Sequence, residues 1–401
     1  MKIEFCWKYI LCFWNKNIAS KLFTASLIFY SYSRSQTDSS FNSVSVSEFK
    51  LSFTPEIILF LNSNNDKNLD FISLDSKTNT LWLNEADSIG GYFNFKEIKK
   101  SGTITSIKSS DVNRDSLDDI ILVHHSLNKI EVLLNNKNNN FTSTFYDVNF
   151  YPDKVEIFDF NRDGILDLCS YGKVASGVTI LLGKKNGKFS QGEVLFDEIP
   201  IEEIYPVYLN SDKEIDLAIK NWLTNEMIYY FGMGDLQFYV YDVVSLKDEE
   251  SKIFYFHANS DNFTDYLVSN KNKIDLFLTN NIGSAKQNIS FTLDEEINFV
   301  DTATSQNTLK KYLLVSTKKN EINFINMQNG NDSFDYFSFS IPFDYDKFFF
   351  CDLNKDSQKE IILFNGSNMY TLWFNQTDNL IQENIIFATQ NNSAIRIENK
   401  K

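Results

Sequence analysis

Short apolar runs alternate with acidic, Asn-rich loops along most of this chain. In the clearest copy, the apolar run 120–123 follows the loop 111–119 directly, and an alternating stretch, 103–107, precedes that loop. A continuous apolar run between turn signals indicates a strand buried on both faces, whereas alternation indicates a strand with one buried face. The pattern predicts short strands separated by tight polar turns.

These strand signals recur with a nearly fixed period, for which the residue that ends each loop serves as a marker. Successive markers lie 49, 48, 49, 49, 46 and 49 residues apart. A fixed period of roughly 20–50 residues indicates a repeat architecture. An eighth marker would fall about residue 21 or beyond residue 401, so we predict seven repeats. The markers are Asp70, Asp119, Asp167, Asp216, Asp265, Lys311 and Glu360.

One repeat contains four strand signals. After the apolar run 120–123, a turn leads to a third strand over 129–135, and a polar turn leads to a fourth over 141–146. Four short antiparallel strands, repeated radially, describe the blades of a β-propeller. We predict an all-β fold over residues 36–401, a seven-bladed β-propeller with four-stranded antiparallel blades.

The two ends of the chain compete for one strand position. By the repeat spacing, residues 41–53 and residues 380–388 both fall where the fourth strand of the seventh blade belongs. Pairing of the two termini within that blade would remove an exposed sheet edge. We therefore expect the ring to close there.

Composition and charge restrict the partners. The chain has 401 residues, 43% of them hydrophobic, and its five Pro and 14 Gly leave no room for a Pro- or Gly-rich linker. Its net charge of -15 argues against nucleic acid, whose phosphates require Lys and Arg, and against an anionic membrane surface. We expect a single folded body and a monomer.

The N-terminal residues 1–35 have the layout of an export signal. Four lysines precede a mostly apolar stretch, 22–30, and small residues recur two apart at Ser31, Ser33 and Ser35. The apolar stretch is shorter than the roughly 20 residues that a membrane span needs. We predict an exported protein, extracellular, periplasmic or at the cell surface, with no membrane span in the mature chain.

The four cysteines do not form a disulfide framework. Cys6 and Cys12 lie in the N-terminal segment, while Cys169 and Cys351 fall in the third and seventh repeats. Cysteines so far apart in a ring cannot bridge, so we expect both to be small buried residues.

The loops carry oxygen ligands at positions 1, 3, 5 and 9, with a backbone carbonyl at position 7, which suits a hard cation such as Ca²⁺. Three loops have three carboxylates and an Asn, and the first loop has two carboxylates and two Asn. The predicted calcium ligands are Asp111, Asn113, Asp115, Leu117 and Asp119; Asp159, Asn161, Asp163, Ile165 and Asp167; Asp352, Asn354, Asp356, Gln358 and Glu360; and Asn62, Asn64, Asp66 and Asp70.

The other loops are poorer candidates for a metal. The fourth and fifth have Tyr208 and His257 at position 1, and the sixth has no carboxylate and ends at Lys311. In any of the loops, Asn and Asp can instead hold the turn through hydrogen bonds to the backbone. An EF-hand is excluded, because position 12 is not acidic in the best loops and a strand signal follows each of them.

The loop Asp-Phe-Asn-Arg-Asp-Gly-Ile-Leu-Asp-Leu at 159–168 and the element Leu-Leu-Gly-Lys-Lys-Asn-Gly-Lys-Phe at 181–189 resemble the FG-GAP/VCBS repeat family, whose best-known member is the propeller of integrin α subunits. The resemblance extends in weaker form over about 41–390. It implies calcium in the loop between the first and second strands and a ligand on the opposite face. The Phe-Gly and Gly-Ala-Pro signatures are mostly absent.

The turns after the second strands would lie on that opposite face. They carry Trp222 and Asn221, His124 and His125, and Tyr171, whose aromatic faces and amide suit a sugar or a peptide. The alternative is a set of partly exposed turns without a ligand.

No catalytic motif is recognisable, and the chain has only three His. We expect a calcium-bound, non-catalytic adhesion or binding module for an extracellular protein or glycan. The alternative is a polysaccharide-degrading lyase or hydrolase on the same scaffold.

Overall fold

The computed structural model of the protein describes residues 23–25 and 44–374 except for short internal stretches, which are 67, 87–90, 101, 138, 149–150, 175, 191, 247–250, 259–260, 281–284, 305–310, 327–335, 342 and 357–358. This part of the chain is all-β, with a single 3-10 turn at His125–Leu127. It has no helix with the length and apolar character of a bilayer span.

In chain order, the strands are β1 (Phe23–Ala25), β2 (Val44–Lys50), β3 (Ile57–Leu61), β4 (Asp70–Asp75), β5 (Thr80–Ala86), β6 (Tyr92–Lys99), β7 (Ile104–Ser110), β8 (Asp119–His124), β9 (Lys129–Asn135), β10 (Phe141–Asp147), β11 (Lys154–Phe158), β12 (Asp167–Tyr171), β13 (Ser176–Leu181), β14 (Glu193–Val207), β15 (Asp216–Asn221), β16 (Glu226–Gly232), β17 (Phe238–Ser245), β18 (Lys252–Phe256), β19 (Asp265–Asn270), β20 (Lys273–Thr279), β21 (Ala285–Thr292), β22 (Ile297–Thr304), β23 (Lys311–Thr317), β24 (Glu321–Asn326), β25 (Tyr336–Ser340), β26 (Lys347–Cys351), β27 (Glu360–Asn365) and β28 (Asn368–Phe374).

In all but the last sheet, the strands form antiparallel sheets in chain order. Four-stranded sheets contain β3–β6, β7–β10, β18–β21 and β22–β25. The long strand β14 belongs to two groups: residues 193–200 pair with β13 and residues 201–207 pair with β15. One strand therefore leads directly from the outer edge of β11–β14 into the first position of β14–β17.

The last sheet is built from both ends of the described chain. Strand β2 pairs with β28 from Val44 opposite Phe374 to Lys50 opposite Asn368, beside β27 and β26. This confirms the predicted position of the N-terminal segment in the last repeat. The competing segment 380–388 lies outside the described residues, and of the predicted export segment only β1, paired with β2, is described.

The predicted markers locate the second strands. Each of the seven is the first residue of β4, β8, β12, β15, β19, β23 or β27. The third strand predicted at 129–135 is β9 without any shift. A strand directly after each loop confirms that these are not EF-hands.

The second strands are mainly apolar, and β4, β8 and β12 are buried along almost their whole length. In β8, Leu122 packs in a cluster with the sheet β3–β6, whereas its neighbour Ile121 packs in a cluster with β12 and β13. Both side chains are fully buried. A further cluster joins the first and last repeats, where the rings of Phe71 and Phe364 have centroids 6.3 Å apart.

For the described pair, the absence of a bridge and the burial of Cys169 are confirmed, whereas the predicted burial of Cys351 is only partial. Cys169 and Cys351 are both free thiols, the first buried and the second half-buried. Cys6 and Cys12 lie outside the described residues.

One buried carboxylate ties each of five sheets together. Asp216 Oδ2 accepts the N–H of Leu209 in its loop at 2.7 Å, and Oδ1 accepts the N–H of Gly232 at the end of β16 at 3.0 Å. A single side chain thus joins the loop, the second strand and the third strand. The pattern recurs at Asp119, Asp167 and Asp265, and at Asp70 with the Ser63 hydroxyl as the loop donor.

These carboxylates are ionised only with difficulty. Burial raises the pKa of Asp216 to about 6 and that of Asp119 to about 7, although the two backbone N–H donors partly offset the loss of water. Burial likewise raises the pKa of Glu360 to about 8.

We expect Asp216→Ala to lower the free energy of unfolding by about 2–5 kcal/mol, because it leaves two buried N–H groups without acceptors. The matched control is Asp212→Ala, which removes an exposed carboxylate from the same loop and should cost less than about 1 kcal/mol. Urea denaturation followed by fluorescence measures both. Equal losses for the two variants would contradict the structural role of Asp216.

In chelator, we expect the melting temperature to rise as the pH falls from 8 to 5.5. The folded-state pKa values of about 6 for Asp216 and about 7 for Asp119 exceed the unfolded value of about 4. The folded protein therefore binds more protons than the unfolded chain in this window, and stability falls as the pH rises through it. Calorimetry measures the trend, and a melting temperature that drops on acidification over this range would refute it.

Candidate ligand face and acidic loops

The second and third loops share one hydrogen-bonded geometry. The carboxylate of Asp111 accepts the N–H groups of Asp115 and Ser116 at 2.9 and 2.8 Å. Asp159 accepts those of Asp163 and Gly164 at 3.1 and 2.8 Å. Position 1 of each loop thus holds the turn that brings positions 5 and 6 back toward it.

The backbone at position 6 of these loops is left-handed, which explains why one of them has a glycine there. Gly164 has φ +79°, and Ser116 adopts φ +72° at the same position of the second loop. Glycine occupies this left-handed region without steric cost, whereas a residue with a Cβ is strained there. The second loop therefore accepts some strain for the same shape.

The Asn at position 3 completes the turn. Asn161 Oδ1 accepts the N–H of Asp163 at 3.1 Å, and Asn161 Nδ2 donates to Asp163 Oδ2 at 3.2 Å. Asp163 Oδ1 accepts the N–H of Ile165 at 2.8 Å. These are the side-chain-to-backbone hydrogen bonds that hold such a turn without a metal.

The donor chemistry of these loops fits Ca²⁺, but the carboxylates are directed at backbone amides. The charges of Asp115 and Asp111 add to the effect of burial in raising the pKa of Asp119. Mutual repulsion of this kind is what a bound cation relieves. Across the described residues, no three His, Cys, Asp or Glu side chains are grouped as a metal site.

The seventh loop follows the same plan with a longer last side chain. Asp352 and Asn354 both accept the N–H of Asp356 at 3.1 Å. Glu360 is buried and its Oε2 accepts the N–H of Leu353 at 2.8 Å, the contact that the shorter Asp makes in other loops. Gln358 lies outside the described residues.

The first loop is linked to its neighbours instead. Asn62 Nδ2 donates to the carbonyl of Ser116 at 2.9 Å, and Asn62 Oδ1 accepts from Lys355 Nζ at 2.9 Å. The same ammonium donates to the carbonyl of Asp66 at 2.7 Å. The Lys355 ammonium, held at this loop, disfavours the binding of a metal cation there. The remaining candidates, Asn64 and Asp70, face the N–H groups of Asp66 and Ala86.

The fourth and fifth loops have the side-chain-to-backbone hydrogen bonds that hold the turn, but not the full set of predicted metal ligands. In the fourth, Asn210 Oδ1 accepts the N–H of Asp212 at 2.7 Å, and in the fifth, Asp261 Oδ1 accepts the N–H of Phe263 at 3.0 Å. Most of the sixth loop lies outside the described residues.

The residues predicted for the ligand face separate into two groups. His125 and Trp222 lie in turns and Asn221 is the last residue of β15; all three reach the surface, Trp222 being 42% exposed. His124 and Tyr171 are buried: His124 Nε2 lies 2.8 Å from Glu131 Oε2, and the Tyr171 hydroxyl lies near Glu156. These two side chains belong to the interior of their sheets.

Trp222 is fixed by a turn of the neighbouring sheet. Its indole Nε1 donates to the carbonyl of Lys173 at 2.6 Å, so the ring is held while one side remains open to solvent. Val174 and Leu223, in the two turns, are 67% and 66% exposed. Asn221 Oδ1 accepts the N–H of Leu223 at 3.0 Å and holds the turn.

The exposed surface continues to the next sheet. The rings of His125 and Tyr151 have centroids 5.4 Å apart, and Tyr151 is 49% exposed. We name His125, Tyr151, Val174, Trp222 and Leu223 the aromatic row. Tyr151 escaped the sequence analysis because it precedes a first strand. Its contact with His125 depends on the packing of two sheets.

One carboxylate beside the aromatic row forms ion pairs with two lysines. Glu202 contacts Lys173 Nζ at 2.7 Å and Lys220 Nζ at 2.9 Å. Partial burial would raise the pKa of Glu202, but the hydrogen bonds from both lysines outweigh it and lower the pKa. The residues next to Trp222 are therefore held in a defined, charged arrangement.

Comparison with known proteins identifies solved structures that are similar to this chain in fold. No curated protein matches the chain. Solved structures do: BBS1N in complex with ARL6DN has a TM-score of 0.58 at 12% identity, covering 83% of this chain and 95% of that one. The WD40 domain of Toxoplasma gondii coronin has a TM-score of 0.53 at 12% identity, covering 89% of this chain and 97% of that one. An Agrocybe aegerita lectin that recognises non-reducing terminal N-acetylglucosamine has a TM-score of 0.51 at 12% identity, covering 81% of this chain and 86% of that one.

A family match falls on the two loops with the most complete ligand sets. Residues 111–170 match the FG-GAP-like repeat, over the second loop, its strands and the third loop. The solved structures, all far below 25% identity, are similar in fold alone. The chain therefore carries an FG-GAP-like repeat at residues 111–170, in an all-β structure whose structural neighbours are β-propellers.

Proposed function

We propose that the protein is an exported, seven-bladed β-propeller that binds an extracellular glycan or protein without catalysis. The FG-GAP-like repeat and the propeller neighbours are consistent with a binding module. The aromatic row carries the proposal, because it presents a fixed indole ring and further exposed apolar side chains from three neighbouring sheets. Aromatic faces suit sugar rings and apolar peptide side chains alike.

Contacts between loops support closure into a ring. Asp118 in the second loop accepts the N–H of Asn62 in the first at 2.6 Å and donates its own N–H to the Asn62 carbonyl at 2.9 Å. Leu69 in the first loop donates its N–H to the carbonyl of Leu353 in the seventh at 2.7 Å. The first and last repeats are thus neighbours, as seven blades around one axis require.

In this proposal, calcium occupies the second and third loops and stabilises them. Three carboxylates repel one another in each loop, and a cation that meets their free lone pairs would relieve that repulsion. Affinities of roughly 10⁻⁴–10⁻³ M, typical of extracellular modules, are expected. An exported protein would meet calcium at such concentrations, which agrees with the export signal predicted from the sequence.

We expect calcium at millimolar concentration to raise the melting temperature relative to chelator, and Asp163→Ala to remove part of that rise. Asp163 is one of three carboxylates in its loop, and its loss weakens the site. Calorimetry in the two buffers measures the effect. The seventh loop would contribute in the same way.

The matched control for this measurement is Asp212→Ala. Asp212 has the same position in the fourth loop and the same contact, an N–H two residues on at 2.8 Å. In that loop, however, Tyr208 replaces the carboxylate at position 1. It should leave the calcium-dependent rise unchanged. Identical wild-type melting curves in calcium and chelator would refute the structural role of the ion.

We expect Trp222→Ala to weaken binding to the best glycan on an array at least about tenfold, about 1.4 kcal/mol, because the ring supplies the open aromatic surface. The control is Phe95→Ala, which removes an aromatic side chain of similar exposure from the outer strand β6. Affinities are measured by calorimetric titration.

The same ligands distinguish the proposal from its alternative. New reducing or unsaturated ends after incubation with the polysaccharide would indicate a lyase or hydrolase. Binding that Trp222→Ala and Phe95→Ala weaken equally would show that the aromatic row is not the ligand face.

A further inference from the structure

Consecutive acidic loops contact each other, and each such contact is here called a join. At two joins, position 8 of the later loop is polar and pairs reciprocally with position 1 of the loop before it. Asp118 donates its N–H to the Asn62 carbonyl at 2.9 Å and accepts the Asn62 N–H at 2.6 Å. Thr264 makes the same two contacts with Tyr208, at 2.8 and 2.9 Å. These joins therefore combine a backbone and a side-chain hydrogen bond.

Position 8 is apolar at three other joins, so its side chain cannot accept the second hydrogen bond. These residues are Leu69, Leu166 and Ile215. At each of these joins, the loop before has a basic residue at position 4. The basic residues are, in the same order, Lys355, Arg114 and Arg162. Where position 8 is Asp118 or Thr264, position 4 of the loop before is the uncharged Asn65 or Ser211. The two remaining joins involve the sixth loop, most of which lies outside the described residues.

The basic side chains at position 4 reach toward the next loop. Arg162 forms an ion pair with Glu214 of the fourth loop. The Arg114 guanidinium lies beside Gly164 of the third loop, 3.7 Å from the place that a Cβ would occupy there. All three basic residues have a left-handed backbone, with φ between +54° and +62°, which carries each side chain out of its own loop. A basic residue at position 4 therefore supplies the link that an apolar position 8 cannot make.

Lys355 supplies this link at the join between the last and first repeats. Its Nζ donates to Asn62 Oδ1 at 2.9 Å and to the Asp66 carbonyl at 2.7 Å. The backbone contributes one bond, from the Leu69 N–H to the Leu353 carbonyl at 2.7 Å. The ammonium thus doubles the contact at the join where the two ends of the repeat array meet.

The same contact changes the first loop as a cation site. In the second and third loops, the position 1 side chains of Asp111 and Asp159 accept N–H groups of their own loop. In the first loop, the position 1 oxygen of Asn62 faces Lys355 instead. A Ca²⁺ ion at the usual distance of about 2.4 Å from that oxygen would lie within about 5 Å of the ammonium and be repelled by it. The residues of the first loop therefore do not suit calcium while Lys355 is in place.

We propose that the Lys355 ammonium is the resident cation of the first loop, where it links the last repeat to the first and replaces a calcium ion. Asn62 and Asp66 then act as acceptors for the ammonium rather than as metal ligands. Calcium is left with the second, third and seventh loops. Only the exclusion of calcium rests on the proposed function, because the link between the repeats forms without a metal.

Hydrogen exchange of the full chain in chelator tests the link. Lys355→Met keeps the length of the side chain and removes the ammonium, so exchange at the Leu69 amide should rise at least about fivefold. The Thr264 amide makes the equivalent bond between the fourth and fifth loops and should change less than about twofold. Lys355→Arg keeps the charge, so the Leu69 amide should exchange more slowly in it than in Lys355→Met.

The matched control is Lys213→Met. Lys213 is an exposed lysine of the fourth loop, also with a left-handed backbone at φ +71°, and it lies in a different repeat from the join of Lys355. It should leave exchange at the Leu69 amide unchanged. Equal exchange at Leu69 in wild type and Lys355→Met would overturn the link. Equal rises at Leu69 in the two Met variants, or an equal rise at Thr264 in Lys355→Met, would overturn it as well.

Calorimetry in calcium and in chelator tests the exclusion of calcium. Asp66→Ala removes an exposed carboxylate from the first loop but keeps the carbonyl that accepts Lys355, so the calcium-dependent rise in melting temperature should not change. Asp163→Ala, in the third loop, should reduce that rise. Equal reductions in the two variants would show that the first loop binds calcium and would overturn the exclusion. A wild type without any rise would refute the calcium role in the proposed function, whereas the exchange experiment in chelator decides the link independently.

Discussion

The fold depends on a buried carboxylate that accepts two backbone N–H groups at the start of most second strands. Asp119, Asp167, Asp216 and Asp265 each join a loop to the end of the third strand, and burial makes this contact expensive to lose. Because the same contact recurs in successive sheets, it fixes the loop at the same height in each. The buried carboxylates thus hold the acidic loops in place by hydrogen bonds, without a bound ion.

That anchoring has a cost. The carboxylates have raised pKa values, and in the second and third loops further carboxylates lie close to them. The loops compensate by directing Asp and Asn oxygens at their own backbone amides. Calcium in these loops would act on a structure already folded by hydrogen bonds, which is why we propose it as a stabiliser.

The acidic loops and the proposed ligand face occupy different parts of the sheets. The loops precede the second strands, and the aromatic row lies near the ends of those strands. In the aromatic row, Trp222 is fixed by the hydrogen bond that its indole N–H donates to a carbonyl of the neighbouring turn.

The sequence by itself determined the all-β class, the repeat period and the starts of the second strands, because alternation and turn chemistry are local. It could not separate His125, which is at the surface, from His124, which is buried beside Glu131. It also missed Tyr151. The burial of His124 and the contact of Tyr151 with His125 were decided by the tertiary structure, since they depend on which sheets pack together across about 49 residues of sequence.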